Sequence, residues 1–332
     1  MNQKSNELVS VIIVTTGKYE YFKPCLESIR TQTYPGYEII VIDNSHNRLL
    51  QQQILNDFKE INLFSDPEDL FYCAALNKGI EISNGEFILC LNDDVILDKK
   101  FIEEALRGFA IDDKLGLVSG KILRFDKKTL DSTGLFLSYW RTAKERGYGC
   151  RDNGEFEKEE FIFGVNGAVA LYRKKMLEDI KEGTEYFDSD FHIFYEDLDI
   201  AWRARRFGWK GYYIPLALAY HLRGGTVRQG KGVNNRYGRP YLNDELHTDL
   251  IKNRYLAMIK NESALSFLLH LPGILLYDLI IWTYILLFKP QLIKNFILNL
   301  KYLESGFKKR RFYSLSRRKN NRKSLFKKTK NT

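Results

Sequence analysis

The sequence predicts an α/β fold: a mixed, mostly parallel sheet flanked by helices, with a helical C-terminal extension. Three observations lead there. Short runs rich in β-branched residues alternate with stretches of helical spacing, the pattern of βαβ units. Gly, Pro and Asn punctuate the ends of those runs. After about residue 225 the alternation gives way to a polar stretch, 226–249, and then to a strongly apolar one, 264–288.

Leu8–Val14 (LVSVIIV) is the first strand. Tyr21–Thr31 has helical spacing, with Tyr21, Phe22, Cys25, Leu26 and Ile29 on its apolar face. Pro35-Gly36 turns the chain into a second buried strand, Tyr37–Ile42 (YEIIVI), ended by Asp43-Asn44-Ser45. A weaker strand, Ile61–Phe64, and a helix over Phe71–Ile82 follow, and Asn84-Gly85 turns into the third strong strand, Glu86–Leu91 (EFILCL). A helix over Lys100–Phe109 and a strand over Leu115–Ser119 continue the series. The middle, Lys121–Glu160, is irregular and rich in charge and Gly. Phe161–Arg173 reads as a Gly-kinked strand pair, Glu196–Phe207 as a helix stopped by Gly208, and Lys210–Ile214 as a strand ending at Pro215.

With 332 residues and 44% hydrophobic residues the chain can bury a substantial core, and it has no 20–50-residue repeat. The net charge of +9 conceals an asymmetry. Residues 301–332 hold 13 Lys or Arg against one acid, Glu304, so the remaining 300 residues carry 38 bases and 41 acids. A nearly neutral body argues against a nucleic-acid-binding protein, which would spread basic residues over a face. Cys25, Cys73, Cys90 and Cys150 form no CxxC pair and read as reduced thiols of a cytosolic protein. The polar N-terminus, Met1–Glu7, carries no secretory signal pattern. The 18 residues Leu271–Phe288, interrupted by Pro272 and Asp278, sit at the lower limit for a membrane span; an interfacial helix, a core helix and an oligomer contact are the alternatives.

Candidate chemistry lies where strands end, because ligands of open α/β sheets bind beyond the carboxyl ends of strands. Asn92-Asp93-Asp94 follows EFILCL directly. Two adjacent carboxylates there repel, and a divalent cation would relieve the repulsion; an Asx turn is the plainer alternative. Asp43 ends the neighbouring strand and would share that edge. Tyr195-Glu196-Asp197 opens a helix, where acids are expected from the helix dipole, yet a carboxylate facing a cleft there could act as general base. His221 follows the strand-like stretch Leu216–Tyr220 and taken alone is an ordinary histidine.

Taken in order, these blocks resemble the family 2 glycosyltransferases, in particular the bacterial rhamnosyltransferase-like branch. The resemblance covers roughly residues 8–225 and rests on VSVIIVTTGKYEYFKPCLESIRTQTYPGYEIIVIDNS, LNKGIEISNGEFILCLNDDV, NGAVALYRKKML and FHIFYEDLDIAWRARRFGWKGYYIPLALAYH. It implies the GT-A fold, a Rossmann-like sandwich, and inverting transfer of a sugar from a nucleotide-diphosphate donor to a glycan or lipid-linked hydroxyl. Asp43 would contact the base, and Thr15, Asn77 and Asp93 belong to the donor-binding set. Asp94 would be the main ligand of Mg²⁺ or Mn²⁺, completed by His221. Gly167 would let the backbone pass close to the sugar. Asp197 matches the general base, and Glu196 would orient the acceptor. The resemblance points first to dTDP-rhamnose as donor and next to UDP-hexoses, while the departure at Val14-Thr15-Thr16-Gly17, where many relatives have Thr-Tyr-Asn, leaves the choice of nucleotide open.

The implied organisation is a catalytic domain over 1–225, with a nucleotide-sugar-binding half, 1–110, and an acceptor-binding half, 111–225. A membrane-associating or oligomerising region, 226–300, and a basic tail, 301–332, would follow. The implied place is the inner face of the cell membrane.

Overall fold

The structure, a computed structural model, describes residues 7–66, 68, 70–222, 242–311 and 313. The expected boundary at 225/226 and residues 314–332 of the basic tail lie outside the described residues.

Four parallel strands build the first half of the sheet: β1 (Val9–Thr15), β2 (Tyr37–Asp43), β3 (Asn62–Ser65) and β4 (Phe87–Asn92). Their helices are α1 (Tyr19–Arg30), α2 (Arg48–Asp57) and α3 (Tyr72–Glu81). The strands read as near-continuous Val, Ile and Leu because helices cover both faces of such a sheet. Register decides where the polar ends fall: Thr15 pairs with Asp43, and Val14 with Asn92, so the acidic ends share one edge.

The second half is mixed. After β5 (Val95–Leu97) and α4 (Phe101–Gly108), β6 (Leu115–Arg124) runs to the short strands β7 (Leu130–Ser132), β8 (Leu135–Leu137), β9 (Ala143–Glu145) and β10 (Glu160–Ile162). Then come β11 (Val169–Arg173), α5 (Lys174–Ile180), α6 (Glu196–Arg206) and β12 (Lys210–His221). The strand order is β10-β12-β6-β11-β4-β1-β2-β3; β5 and β7 pair β12 and β6, and β8-β9 is a separate hairpin. β11 is antiparallel to both of its neighbours. Gly208, at φ +86°, stops α6 as expected.

The C-terminal part is helical: α7 (Asp244–Asn261), α8 (Ala264–Phe288), α9 (Gln291–Leu298) and a last helix over 300–311. One apolar core lies against α1, α2 and α4, the other against α3, α5 and α6, and Leu256 and Ala257 of α7 belong to the second. The three cysteines of apolar segments are buried and free, and Cys150 is exposed.

Two expectations fail. Phe161–Arg173 is not a strand pair: β10 pairs β12 while β11 lies between β4 and β6, because Gly164–Ala168 forms a loop at the sheet edge. Nor does the last strand end at Pro215. β12 continues to His221 through a register shift between Ile214 and Leu218, and a bulge accommodates the residue that cannot donate to the ladder.

Candidate active site

A cleft of about 450 Å³ opens at the carboxyl edge of the sheet. Its walls include Asp93, Asp94, Gly167, Glu196, Asp197 and His221, so six of the nine expected residues line it.

One wall is set by strand pairing. β12 pairs antiparallel with β5 so that His221 lies opposite Val95, and the Leu222 N–H donates to the Asp94 carbonyl. This places the His221 Nε2 3.2 Å from Asp94 Oδ1. On its other side, His221 Nδ1 is 2.8 Å from Asp131 Oδ2, on β7. Burial alone would pull the imidazolium down, but Asp94 and Asp131 outweigh it and hold the proton up to about 10. The arrangement of carboxylate, imidazole and backing carboxylate is that of an oriented metal ligand. A divalent cation accepted by Asp94 Oδ1 and His221 Nε2 would take the place of that proton. Among the described residues no three acidic, His or Cys side chains form a closed cage. Two protein ligands suit a hard cation that also binds substrate phosphate oxygens.

Asp93 is buried beside them. Burial, then the Asp94 charge, raises its carboxyl to about 6, while Thr15 works the other way by donating its hydroxyl to Asp93 Oδ2 at 2.8 Å. Thr15 is fully buried; its hydroxyl meets Asp93 and its carbonyl accepts the Asn44 N–H. Asn92 accepts a 3.0 Å bond from the Tyr72 hydroxyl, and its own N–H donates to the Ala168 carbonyl, which ties the acidic strand end to the Gly167 loop.

The opposite wall is the start of α6. Asp197 accepts the Gly167 N–H at Oδ2 (3.1 Å) and the Leu198 N–H at Oδ1 (2.7 Å), bonds that favour its ionised form. Glu196 is buried next to it. Burial first, and the Asp197 charge second, push its carboxyl well above the usual range, and its Oε2 has no hydrogen-bond partner among the described residues. Of the two, Glu196 is the group whose neutral form burial favours. A Cβ at Gly167 would lie 3.1 Å from Glu196 Oε1, so the bare backbone there keeps both acids in place.

The turn entering α6 is strained. His192, Phe194 and Tyr195 all have positive φ, at 61°, 69° and 69°. Such residues cost about 1–3 kcal/mol each and need support from outside. Asn253 of α7 supplies it: its amide nitrogen lies 2.8 Å from the carbonyls of Phe191, Ile193 and Phe194. Lys252 reaches the Asp190 carbonyl at 2.7 Å. Neither Asp131 nor Asn253 was singled out from the sequence, since neither sits in a recognisable pattern.

Three expected donor residues are placed otherwise. Asn77 does not line the cleft: its amide accepts from the Tyr186 and Phe187 N–H groups and donates to the Phe187 carbonyl, so it fastens α3 to the 186–187 segment. Asp43 reaches the expected edge but is fully buried, with one oxygen held by the Ser45 N–H and the other by Gln51; its neighbour Asn44 lines the cleft. Thr15 acts through Asp93, as above.

Residues 10–181, about half of the chain, match the family described as Glycosyl transferase family 2. A poly-beta-1,6-N-acetyl-D-glucosamine synthase of Staphylococcus epidermidis is 24% identical over 225 residues, covering 65% of this chain and 50% of that protein. The chain thus spans about half the length of the curated relatives it matches. Among solved structures, a mannosyltransferase from Pyrobaculum calidifontis in complex with GDP-Man and Mn²⁺ superposes with TM-score 0.52 and 14% identity, covering 91% of this chain and 86% of that one. GalNAc-T7 with UDP, GalNAc and Mn²⁺ gives TM-score 0.58 and 12% identity, covering 76% of this chain and 48% of that one. These likenesses establish a GT-A-like fold. The curated relative makes an N-acetylglucosamine polymer, so what stands in place of the narrower rhamnosyltransferase-like branch is the family as a whole.

Proposed function

The chain belongs to glycosyl transferase family 2, and from that premise we propose that it transfers a sugar, with inversion, from a nucleotide-diphosphate donor to a hydroxyl of a cell-surface glycan or its lipid-linked precursor. One observation carries the reading: a cation-ready pair, Asp94 and His221, and an acid pair, Glu196 and Asp197, face one cleft at the carboxyl edge of the sheet. The preferred donor is a UDP-N-acetylhexosamine. The polymer named for the curated relative and the UDP and GalNAc named for a structural neighbour both support it, and dTDP-rhamnose is the competitor to be tested.

Asp94 and His221 would hold Mg²⁺ or Mn²⁺, with Asp131 fixing the imidazole and Asp93 held beside them by Thr15. When bound, the cation neutralises charge that grows on the diphosphate leaving group. Asp197 receives the proton of the acceptor hydroxyl as that oxygen attacks the anomeric carbon. Its two N–H bonds keep the carboxylate ionised and aimed into the cleft. Glu196, protonated, donates to an acceptor oxygen. The setting that suits a lipid-linked acceptor is the cytoplasmic face of the cell membrane.

The test is a thermal-shift screen of UDP-GlcNAc, UDP-GalNAc, UDP-glucose, dTDP-rhamnose and GDP-mannose, each with and without Mn²⁺, followed by a donor-cleavage assay on the responders. A ligand at about 100 times its Kd adds about 2.7 kcal/mol, a shift of several degrees. The expected result is a Mn²⁺-dependent shift with a UDP-sugar. A chain that responds to no nucleotide sugar, with or without metal, is not this enzyme.

A further inference from the structure

We propose that α8 is a membrane-docking helix that lies flat on an anionic lipid surface and does not cross the bilayer. At 25 residues it is long and apolar enough to span, and only 11% of its most apolar window is buried. Its two long faces differ in what they meet. One face is engaged with the protein along its whole length. Arg141, at the tip of the β8-β9 hairpin, bonds Ser266 and His270 at 2.6 and 2.8 Å. Gly273 packs against the Tyr139 ring, Asp278 pairs with Arg254, and Trp282 donates to the Tyr255 hydroxyl at 2.9 Å. Ile285 is buried, and Lys289, just past the helix, reaches Asp244 at 3.2 Å.

These contacts tie the first half of α8 to the β8-β9 hairpin and its second half to Arg254, Tyr255 and Asp244 of α7. A spanning α8 would have to break them or drag α7 into hydrocarbon. Yet α7 carries Lys252, Asn253 and Lys260 fully buried against the catalytic domain. In a bilayer, Asp278 and Arg254 would lie at membrane depth, where ionised side chains are costly.

The other face is bare. Leu265, Leu268, Leu275, Leu279 and Leu286 repeat at helical spacing and are each 58–71% exposed. An uncovered aliphatic stripe of this length marks an interaction surface. Charge selects the occupant. From 289 to 311 the chain holds seven Lys or Arg and one acid, Glu304. Two copies meeting through this face would bring two basic segments together. An anionic lipid surface instead gains from both the apolar stripe and the adjoining charge. The groove of about 410 Å³ between α7, α8 and the 300–311 helix shares Leu275 with the bare face, which suits acyl chains.

The experiment is vesicle flotation of the full chain without nucleotide, so that its outcome is independent of the sugar-transfer reading. Phosphatidylcholine vesicles are compared with vesicles that also contain phosphatidylglycerol. The chain should float with the anionic vesicles, be released by high salt or alkaline carbonate, and bind at least about tenfold more weakly when Leu268, Leu275 and Leu279 are all changed to Glu. A second variant, Leu279→Cys in a Cys150→Ser background, carries an environment-sensitive dye. Its emission should shift to the blue on vesicles and be quenched more by a nitroxide near the headgroup than by one deep in the chains. Resistance to carbonate with deep quenching would assign a span. Failure to float, or a dimer that the triple Glu change dissociates, would assign the face to something other than lipid. Each of those results overturns the proposal.

Discussion

Glu196 and Asp197 are adjacent in sequence and differ in environment. Glu196 is buried, with an oxygen that has no hydrogen-bond partner among the described residues, which favours its neutral form; Asp197 accepts two backbone N–H groups. Asp197→Asn is nearly isosteric; it removes the proton acceptor and one of the two backbone N–H bonds. It should lower kcat by about 10²–10⁴-fold while leaving the Mn²⁺-dependent thermal shift with donor intact. Transfer at the parental rate would move the base to another residue. This much of the site was legible because strand ends and helix starts announce themselves: Asp94 after EFILCL, Glu196-Asp197 opening a helix, Gly167 between two apolar runs. Asp131 was not legible. It lies in the irregular middle of the chain, 90 residues from the histidine it orients, and only strand pairing brings the two together. Asn77 lies off the cleft for the converse reason. Its place in the pattern looked right, but its amide is saturated by the 186–187 backbone.

Among the elements, the loop 191–195 and helix α7 are interdependent. Three non-glycine residues of the loop have positive φ, and Asn253 draws three of its carbonyls to one amide. Replacing Asn253 by Ala removes those bonds and leaves buried carbonyls unsatisfied, at a cost of about 1–3 kcal/mol. A role confined to stability would lower Tm alone. The structure calls for more, because the relaxed loop carries Glu196 and Asp197 with it. The variant should therefore show kcat reduced about tenfold or more at saturating donor, with the KM for donor little changed. An unchanged kcat in a folded Asn253→Ala protein would mean that the loop holds its shape unaided. The apolar strands β1, β2 and β4 could be read from sequence because burial on both faces leaves an unbroken apolar run. Helices α2, α5 and α7 could not, since α2 and α7 mix polar residues into the helical spacing and α5 is only seven residues long. Leu216–Tyr220 reads as strand-like from its sequence, but its continuity with Lys210–Ile214 does not, because the bulge at Pro215 is a property of the sheet and not of the local sequence.

At the scale of the molecule, catalytic and C-terminal parts are joined through buried charge. Lys260 of α7, fully buried, bonds Asp188 and lies 3.0 Å from Asp199, which in turn pairs with Arg203 at 2.8 Å; Lys309 of the last helix joins Asp188 and Asp190. Burial would raise the Asp188 carboxyl, but Lys260 and Lys309 outweigh it and hold it far below the usual range. Asp199 is lowered likewise, against its burial, by Arg203 and Lys260. For carboxylates with depressed pKa values, the stabilisation is present above their unfolded value of about 3.9 and is lost as pH falls below it. Lys260, raised by Asp188 and Asp199 against its own burial, contributes below its unfolded value of about 10.4 and loses that contribution above its folded one. The cluster thus holds the parts together between about pH 4 and 10. Lys260→Met removes one of two cationic partners from each of two buried carboxylates, leaving Lys309 on Asp188 and Arg203 on Asp199, and should cost at most about 3 kcal/mol at neutral pH. Urea unfolding of both proteins from pH 7 downward should show this gap narrowing towards pH 4 and below, as Asp188 and Asp199 take up protons in the variant first. A gap that stays constant with pH would mean that Lys260 acts by packing alone, and that the C-terminal helices are held to the catalytic domain by something other than these ions.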